Sequence, residues 1–178
     1  MTEFIRGGDT LLDTLVARVP LFAERRPMYD KTVEVPRLSN HLDADVLGSL
    51  VPVVNDMAGI LETYYRQAFP RVGINLYRHE RDSVAWHADR VGRTFRQPAI
   101  AVVSLGAARP FLLRPVGGGK SRRFVLGSGD LLVMGGTCQH CFEHSVPKLS
   151  TPTGPRLSIT FRHDPPPTTP PQQPSAGS

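Results

Sequence analysis

Apolar residues recur at helical spacing in two stretches near the start of the chain. The first stretch is marked by Leu11, Leu12, Leu15, Val16 and Val19. The second runs from Leu47 to Phe69 and is marked by Leu50, Val54, Ile60, Leu61 and Tyr64. Apolar positions three and four residues apart form one face of a helix, so both stretches are predicted to be amphipathic helices.

The segment between these stretches, MYDKTVEVPRL, alternates apolar and polar residues. Val33 and Val35 are its apolar members, and the pattern stops at Pro36. Alternation with a period of two is typical of a half-buried strand, and proline removes a hydrogen bond from the ladder. The segment is therefore predicted to be a short edge strand or hairpin.

Beyond Pro70 the sequence consists of short strand-like runs separated by turn residues. The runs are RVGINLY, SVAWHAD, AIAVVSLG, RPFLLR, RRFVL, DLLVM, CFEHSV and RLSITFR. Glycine-rich connections such as VGGGK suit tight hairpins, and no helix-length segment separates the runs. We expect an α+β chain that is mainly β, with about eight antiparallel strands in a jelly roll or small barrel and the N-terminal helices packed on it.

A chain of 178 residues, 40% of them hydrophobic, is long enough for one core and too short for two ordinary domains. We therefore expect a single domain, in which residues 1–70 contribute the helices and residues 71–164 the strand-rich core. Residues 165–178 hold six prolines and no large apolar side chain. They are expected to be a disordered tail.

The sequence also excludes several classes of protein. No apolar run is long enough to span a membrane, and acidic residues occur near the N-terminus, where a signal peptide is apolar. We expect a soluble, cytoplasmic monomer that does not bind membranes. Cys138 and Cys141 are too few for a disulfide framework. A structural turn is favoured for this pair over a redox pair or half of a zinc site.

The run SVAWHAD places a carboxylate two residues after a histidine. On a strand, His87 and Asp89 project from the same face. One imidazole and one carboxylate are two of the three ligands in the 2-His-1-carboxylate triad that holds non-haem Fe(II). The third ligand has to come from another strand, and His144 and His140 both qualify by position.

The run RLSITFR separates polar from apolar side chains. Its polar face carries Arg156, Ser158, Thr160 and Arg162. Two guanidinium groups that face a barrel interior require anionic partners, which suits a small dicarboxylate as cosubstrate. The run INLY repeats the pattern with Asn75 and Tyr77, which can hydrogen-bond the same ligand. A solvent-facing edge strand is the alternative for either run.

Six motifs follow one another along the chain. They are NLY (75–77), WHAD (86–89), VSLGAARPFLLR (103–114), GDLLVMGG (129–136), QHCFEHSVPK (139–148) and RLSITFR (156–162). Together they resemble the AlkB family of Fe(II)- and 2-oxoglutarate-dependent dioxygenases, particularly its bacterial members, over residues 23–162. The resemblance implies a double-stranded β-helix fold. It also implies oxidative demethylation of N-alkylated bases, such as 1-methyladenine and 3-methylcytosine in DNA or RNA, with release of formaldehyde, succinate and CO2.

The resemblance implies a metal centre with Fe(II) as the metal and 2-oxoglutarate and O2 as cosubstrates. Its implied ligands are His87, Asp89 and His144, so that His144 is selected over His140. The residues implied to bind 2-oxoglutarate are Asn75, Tyr77, Arg156, Ser158 and Arg162. Among these, Arg156 and Tyr77 are implied at the distal carboxylate and Asn75 and Arg162 at the metal-chelating end. Ser158 is implied at a position where a polar residue often assists.

The segment ERRPMYDKTVEVPRL lies where this family carries its nucleotide-recognition lid. The candidate phosphate contacts are Arg25, Arg26, Lys31 and Arg37, and the candidate stacking residues are Met28 and Tyr29. The formal net charge is +5, and arginine, the predominant basic residue, forms bidentate contacts to phosphate. The implied partner is therefore a nucleic acid that is single-stranded or presents a flipped base.

Two other functions remain open at this point. The first alternative is a 2-oxoglutarate dioxygenase that acts on a protein, a lipid or a small molecule. The second alternative is a non-catalytic, nucleic-acid-binding relative of these enzymes. The basic lid segment favours nucleic acid, and the presence of all the implied iron ligands and of both arginines argues against loss of catalysis.

Overall fold

The structure, a computed structural model, describes residues 1–28, 31–89 and 98–163, with the backbone alone at 25–28 and 31–34. The expected tail at 165–178 lies outside these residues. The helices are α1 (Gly8–Arg18), α2 (Ala44–Leu50), α3 (Val53–Tyr65) and α4 (Cys138–Cys141). The strands are β1 (Phe22–Met28), β2 (Lys31–Asp43), β3 (Arg71–Tyr77), β4 (Val84–His87), β5 (Ile100–Gly106), β6 (Arg109–Pro115), β7 (Arg122–Leu126), β8 (Leu131–Met134), β9 (Phe142–Val146) and β10 (Arg156–Arg162).

The strands form two sheets that face each other. The larger sheet has the order β1-β2-β3-β10-β5-β8, and the smaller has the order β4-β9-β6-β7. Every strand pair in the described residues is antiparallel. The eight runs predicted beyond Pro70 are all strands, β3 to β10, so the mainly β, jelly-roll prediction is confirmed.

Strand β10 lies at the centre of the larger sheet, between β3 and β5. Its apolar residues Leu157, Ile159 and Phe161 are fully buried in the core formed with the N-terminal helices. Its polar residues line a cavity between the two sheets. Successive strand residues point to opposite faces, so β10 supplies both the core of the fold and a polar interior wall.

The second predicted helix is two helices in the structure. Helix α2 ends at Leu50 and α3 begins at Val53. Pro52 precedes α3, and proline is favoured at the start of a helix because it has no amide hydrogen to donate. No helix in the described residues is long and apolar enough to cross a bilayer.

The buried face of α3 differs from the predicted one. Its buried residues are Val54, Met57, Ala58 and Leu61, which follow helical spacing. Ile60 is 57% exposed and Tyr64 is 79% exposed, so their predicted place on the buried face was wrong. Both side chains are apolar or aromatic, and the sequence pattern alone does not separate them from the residues on the core side.

Strand β2 is longer than the predicted edge strand. It continues through Pro36 to Asp43 and lies between β1 and β3. The register with β1 shifts between Ala23 and Arg25, which leaves Pro36 at an irregular point where a ladder hydrogen bond is not required. The hairpin prediction is confirmed, and the predicted stop at Pro36 was wrong.

Neighbouring residues of α3 provide a test of this packing. Leu61→Ala is expected to lower the free energy of unfolding by about 2–5 kcal/mol, because it leaves a cavity in the core. Ile60→Ala, the matched control, should change it by less than about 0.5 kcal/mol, as is usual for surface substitutions. Urea denaturation measures both values, and equal effects would contradict the observed helix face.

Candidate metal centre and adjoining cavity

His87, Asp89 and His144 converge between the sheets. His87 is the last residue of β4, and its register partner on β9 is His144. The two imidazole centroids are 4.3 Å apart. One ligand atom from each of the three residues lies within 4.8 Å of the others, and the described part of the chain holds no other such metal-binding cluster.

The hydrogen bonds around this cluster leave its metal-binding atoms available. His87 Nδ1 lies 2.8 Å from the carbonyl oxygen of Ala85, which directs Nε2 to the ligand role. Asp89 Oδ1 accepts hydrogen bonds from Arg162 Nε at 3.0 Å and from Nη2 at 2.8 Å. Asp89 Oδ2 is buried without a hydrogen-bond partner and lies 3.7 Å from His144 Nε2.

An unpartnered buried carboxylate oxygen costs about 1–3 kcal/mol. A divalent cation that binds both Asp89 Oδ2 and the two imidazoles would remove this cost. Two histidines and one carboxylate are the donor set of non-haem Fe(II) sites. The residues present therefore fit Fe(II).

Electrostatics keep these side chains in their metal-binding forms. Burial, together with the neighbouring His87, lowers the pKa of His144 from 6.5 to about 4. Burial alone would raise the pKa of Asp89, but Arg162 and the two histidines lower it below its usual value. At neutral pH His144 is uncharged and Asp89 is ionised, as metal coordination requires.

The competing histidine lies elsewhere. His140 is on α4, and its side chain is exposed. It is not among the residues that converge. The structure thus brings His144, and not His140, to His87 and Asp89.

The cavity beside this cluster is lined by the polar faces of β3 and β10. The five residues expected to bind 2-oxoglutarate all line it: Asn75, Tyr77, Arg156, Ser158 and Arg162. Arg156 is 2% exposed, and its Nε donates to Ser104 Oγ at 3.0 Å. Its guanidinium carbon lies 5.2 Å from the ring centroid of Tyr77. No carboxylate of the described residues forms an ion pair with Arg156. Burial lowers the pKa of the Arg156 guanidinium.

Arg162 and Asn75, two further residues expected to bind 2-oxoglutarate, also have partners within the protein. Arg162 is paired with Asp89, so it orients the carboxylate of the cluster. Asn75 Oδ1 accepts a hydrogen bond from Arg37 Nε at 2.9 Å. Arg37, a candidate phosphate contact by sequence, is therefore part of the cavity wall, and Asn75 has its amide Nδ2 left to donate to a ligand.

Sequence reasoning missed His41 and Gly73. They are register partners on β2 and β3, and His41 Nδ1 lies 3.5 Å from Arg162 Nη1. A Cβ atom at Gly73 would lie 2.5 Å from the same nitrogen, so glycine leaves the space that this guanidinium occupies. The signal for His41 was hidden because β2 was predicted to stop at Pro36.

Sequence reasoning also gave no role to Gln139. This residue is 5% exposed, and its Oε1 accepts a hydrogen bond from the backbone N–H of Asp89 at 3.0 Å. Its motif was recognised, but no pattern in the sequence links it to Asp89, which lies fifty residues earlier. The contact depends on the approach of α4 to the end of β4.

The candidate lid residues can be located only in part. Arg25, Arg26 and Met28 lie on β1 and Lys31 begins β2, with Met28 and Lys31 as register partners. Their side chains, and the whole of Tyr29, lie outside the described residues. Their contacts to nucleic acid therefore stay predictions.

A family model identifies the protein family to which this arrangement of residues belongs. The model of the "2OG-Fe(II) oxygenase superfamily" matches residues 24–162, which include the whole metal cluster and cavity. The chain belongs to this superfamily. Its members are named for Fe(II) and 2-oxoglutarate, and His87, Asp89 and His144 are the residues here that can hold the metal.

Relatives within the superfamily are AlkB proteins, so the resemblance seen in the motifs is confirmed. "Alpha-ketoglutarate-dependent dioxygenase alkB homolog 3" is 30% identical in Homo sapiens and 36% identical in Bos taurus. Each match covers 89% of this chain and 62% of the relative, so the chain spans less than two thirds of their length. "DNA oxidative demethylase ALKBH2" of Arabidopsis thaliana is 33% identical over 58% of this chain and 41% of its own.

Solved structures support the same fold. The structure of OsALKBH1 has a TM-score of 0.63 at 16% identity, and covers 91% of this chain and 95% of its own. A Pseudomonas putida prolyl-4-hydroxylase has a TM-score of 0.57 at 15% identity, over 93% and 91%. At these identities the likeness concerns the fold.

The two histidines provide a test of the metal centre. His144→Ala is expected to weaken Co(II) binding by more than about 100-fold, because loss of a ligand exceeds the 10–100-fold effect of losing an outer-shell partner. His140→Ala, the matched control, should bind as tightly as the wild type. Titration followed by Co(II) absorption measures both, and a loss confined to His140→Ala would contradict the cluster.

Proposed function

We propose that this protein is a 2-oxoglutarate-dependent dioxygenase that removes N-methyl groups from 1-methyladenine and 3-methylcytosine in DNA or RNA. One observation carries the proposal. A metal-binding cluster with an unpartnered carboxylate oxygen, at Asp89, opens on the same cavity as a buried guanidinium without a carboxylate partner, at Arg156. Such a cavity is suited to one cation and one small dianion side by side.

In this proposal His87, Asp89 and His144 hold Fe(II). With Fe(II) bound, one oxygen atom of O2 goes into succinate as 2-oxoglutarate loses CO2, and the other goes into a C–H bond of the methyl group, which leaves as formaldehyde. Arg162 keeps Asp89 ionised and oriented. The task of the protein is to position the reactants and to hold water away.

The cavity offers a graded set of contacts to 2-oxoglutarate. Arg156 and Tyr77 form the end that would take the distal carboxylate, and their mutual contact fixes both side chains. Arg162 contacts Asp89 of the cluster, where the chelating end would bind. Asn75 and Ser158 are register partners that lie between the Arg156–Tyr77 pair and Arg162 along the two strands, and Asn75 would also contact the chelating end.

A second cavity lies close to the metal cluster and is suited to binding the organic substrate that is oxidised. Its volume is about 590 Å³, and its wall is mainly apolar. It shares Arg37, Val84, His87 and Val146 with the first cavity. It therefore opens beside a metal-ligating imidazole, where a methyl group on the edge of a planar base would be presented for oxidation.

The lid segment supports nucleic acid as the carrier of that base. Strand β2 passes along the second cavity at Val35, Pro36 and Arg37. The other end of the same hairpin carries Arg25, Arg26 and Lys31, which we propose as phosphate contacts, with Met28 and Tyr29 as stacking residues. Methylation of a Watson–Crick edge weakens pairing, so it lowers the cost of flipping the base. The relatives named as an AlkB homolog and as a DNA oxidative demethylase support the same assignment.

The role of Arg156 is tested by cosubstrate kinetics. Arg156→Ala is expected to raise the KM for 2-oxoglutarate by more than about tenfold, because a charge-assisted hydrogen bond contributes roughly 1.5–3 kcal/mol. Arg71→Ala is the control, since Arg71 lies on β3 but is exposed and paired with Asp43. An unchanged KM in Arg156→Ala would remove this contact from the proposal.

The reaction itself is tested with methylated oligonucleotides. Incubation with Fe(II), 2-oxoglutarate and single strands that carry 1-methyladenine or 3-methylcytosine should remove one methyl group, as detected by mass spectrometry. Asp89→Ala should abolish this loss, because the metal centre loses a ligand. If succinate accumulates with a protein or small-molecule acceptor while both lesions persist, the nucleic-acid assignment is wrong.

A further inference from the structure

Helix α4 carries two thiols on a single turn. Cys138 is its first residue and Cys141 its last, and both are free cysteines. Residues three apart in a helix have Cα atoms about 5 Å apart, from a 1.5 Å rise and 3.6 residues per turn. This Cα–Cα distance lies within the range of roughly 4.4–6.8 Å that is usual in disulfides. A bridge can therefore form without a large movement of the backbone. Burial and the neighbouring Cys141 both raise the pKa of Cys138, which agrees with thiols that lie side by side.

The residue after Cys138 connects this turn to the metal centre. Gln139 is buried, and it accepts the hydrogen bond of the Asp89 amide. Its Nε2 donates to Met134 Sδ at 3.6 Å, so the side chain is held at both ends. Strand β4 ends at His87, so Asp89 lies outside the strand. The backbone N–H of Asp89 therefore donates its hydrogen bond to Gln139 and not to a neighbouring strand.

We propose that Cys138 and Cys141 are a redox modification site, whose disulfide pulls Gln139 away from Asp89 and weakens metal binding. The coupling rests on the metal centre of the proposed function. Cβ atoms three or four residues apart on a helix are separated by about 5–6 Å. A disulfide requires roughly 3.5–4.5 Å. Closing the bridge therefore draws the turn together by about 1 Å or more, and Gln139 lies inside that turn.

The oxidant in this step is a peroxide. The exposed Cys141 thiolate attacks one oxygen of hydrogen peroxide, so that an S–O bond forms, the O–O bond breaks and one water leaves after proton transfer. The half-buried Cys138 then attacks this sulfur, which forms the S–S bond and expels a second water. Two thiols lose two electrons and two protons, and the peroxide is reduced to two waters.

A zinc site is the competing assignment for this pair. Within the described residues, the cluster that can hold a metal is the one at Asp89, and neither cysteine belongs to it. His140 lies on the same turn, but it does not converge with the two sulfur atoms on a common point. The structure therefore favours oxidation over zinc binding.

The test uses the full chain without metal, so that iron and peroxide do not react with each other. Treatment with hydrogen peroxide should remove both titratable thiols and lower the intact monomer mass by two hydrogen atoms. Subsequent titration should show Co(II) affinity reduced by roughly tenfold, the lower end of the effect of losing an outer-shell partner. Dithiothreitol should restore the affinity, which separates the bridge from methionine oxidation, since thiols do not reverse the latter.

Matched variants separate the two parts of the proposal. Cys141→Ser should keep full Co(II) affinity before and after peroxide. Gln139→Leu should bind Co(II) more weakly even without peroxide. Its thermal unfolding midpoint should stay close to that of the wild type, which verifies that the variant is folded. Retention of both thiols, or oxidation without a bridge, would overturn the modification site, and a bridge without a change in affinity would overturn the coupling. If the untreated protein binds no Co(II), the metal centre of the proposed function fails together with the coupling, whereas the mass still decides whether the bridge forms.

Discussion

The ion pair between Arg162 and Asp89 connects the two sheets at the metal cluster. Arg162 ends β10 in the larger sheet, and Asp89 follows β4 in the smaller one. Both donated hydrogen bonds go to Oδ1, which fixes the carboxylate and leaves Oδ2 beside His144. Removing one partner of a buried pair is strongly destabilising, because the other charge stays buried. The absence of a side chain at Gly73 provides the room for this guanidinium.

Positive charge exceeds negative charge among the described residues that line the first cavity, where Arg37, Arg156 and Arg162 are accompanied by Asp89. Arg109 is 1% exposed, and its guanidinium donates to the backbone carbonyls of His79, Asp82 and Pro147. Arg156 is equally enclosed, and both guanidinium groups lie within 6 Å of the Tyr77 ring. Backbone and hydroxyl oxygens solvate these cations only in part, so the cavity retains a positive potential that favours an anionic ligand.

The strand pattern made the chemistry of the interior predictable. Alternation placed Arg156 and Asn75 on cavity-facing sides, because a strand has a two-residue period. The spacing of His87 and Asp89 indicated two ligands of a metal triad, although β4 ends at His87 and Asp89 lies beyond the strand. What the sequence did not reveal depends on contacts between distant segments. His41 reaches the site through an extension of β2 past a proline, and Gln139 reaches Asp89 through the position of one helical turn. Ile60 shows the same limit in a helix, where an apolar side chain beside the core-facing stripe points to solvent.

The unpartnered oxygen of Asp89 has a thermodynamic consequence for the whole molecule. A group left unsatisfied in the folded chain is solvated by water in the unfolded chain, so without a bound cation this oxygen lowers the free energy of unfolding. A cation that binds the folded chain alone recovers this amount as part of its affinity, and the total stabilisation rises with the logarithm of its concentration over the dissociation constant. Affinity for metal and resistance to unfolding are thus two measures of one linked equilibrium, and a substitution that relieves the oxygen in the metal-free protein would make it more stable and a weaker binder.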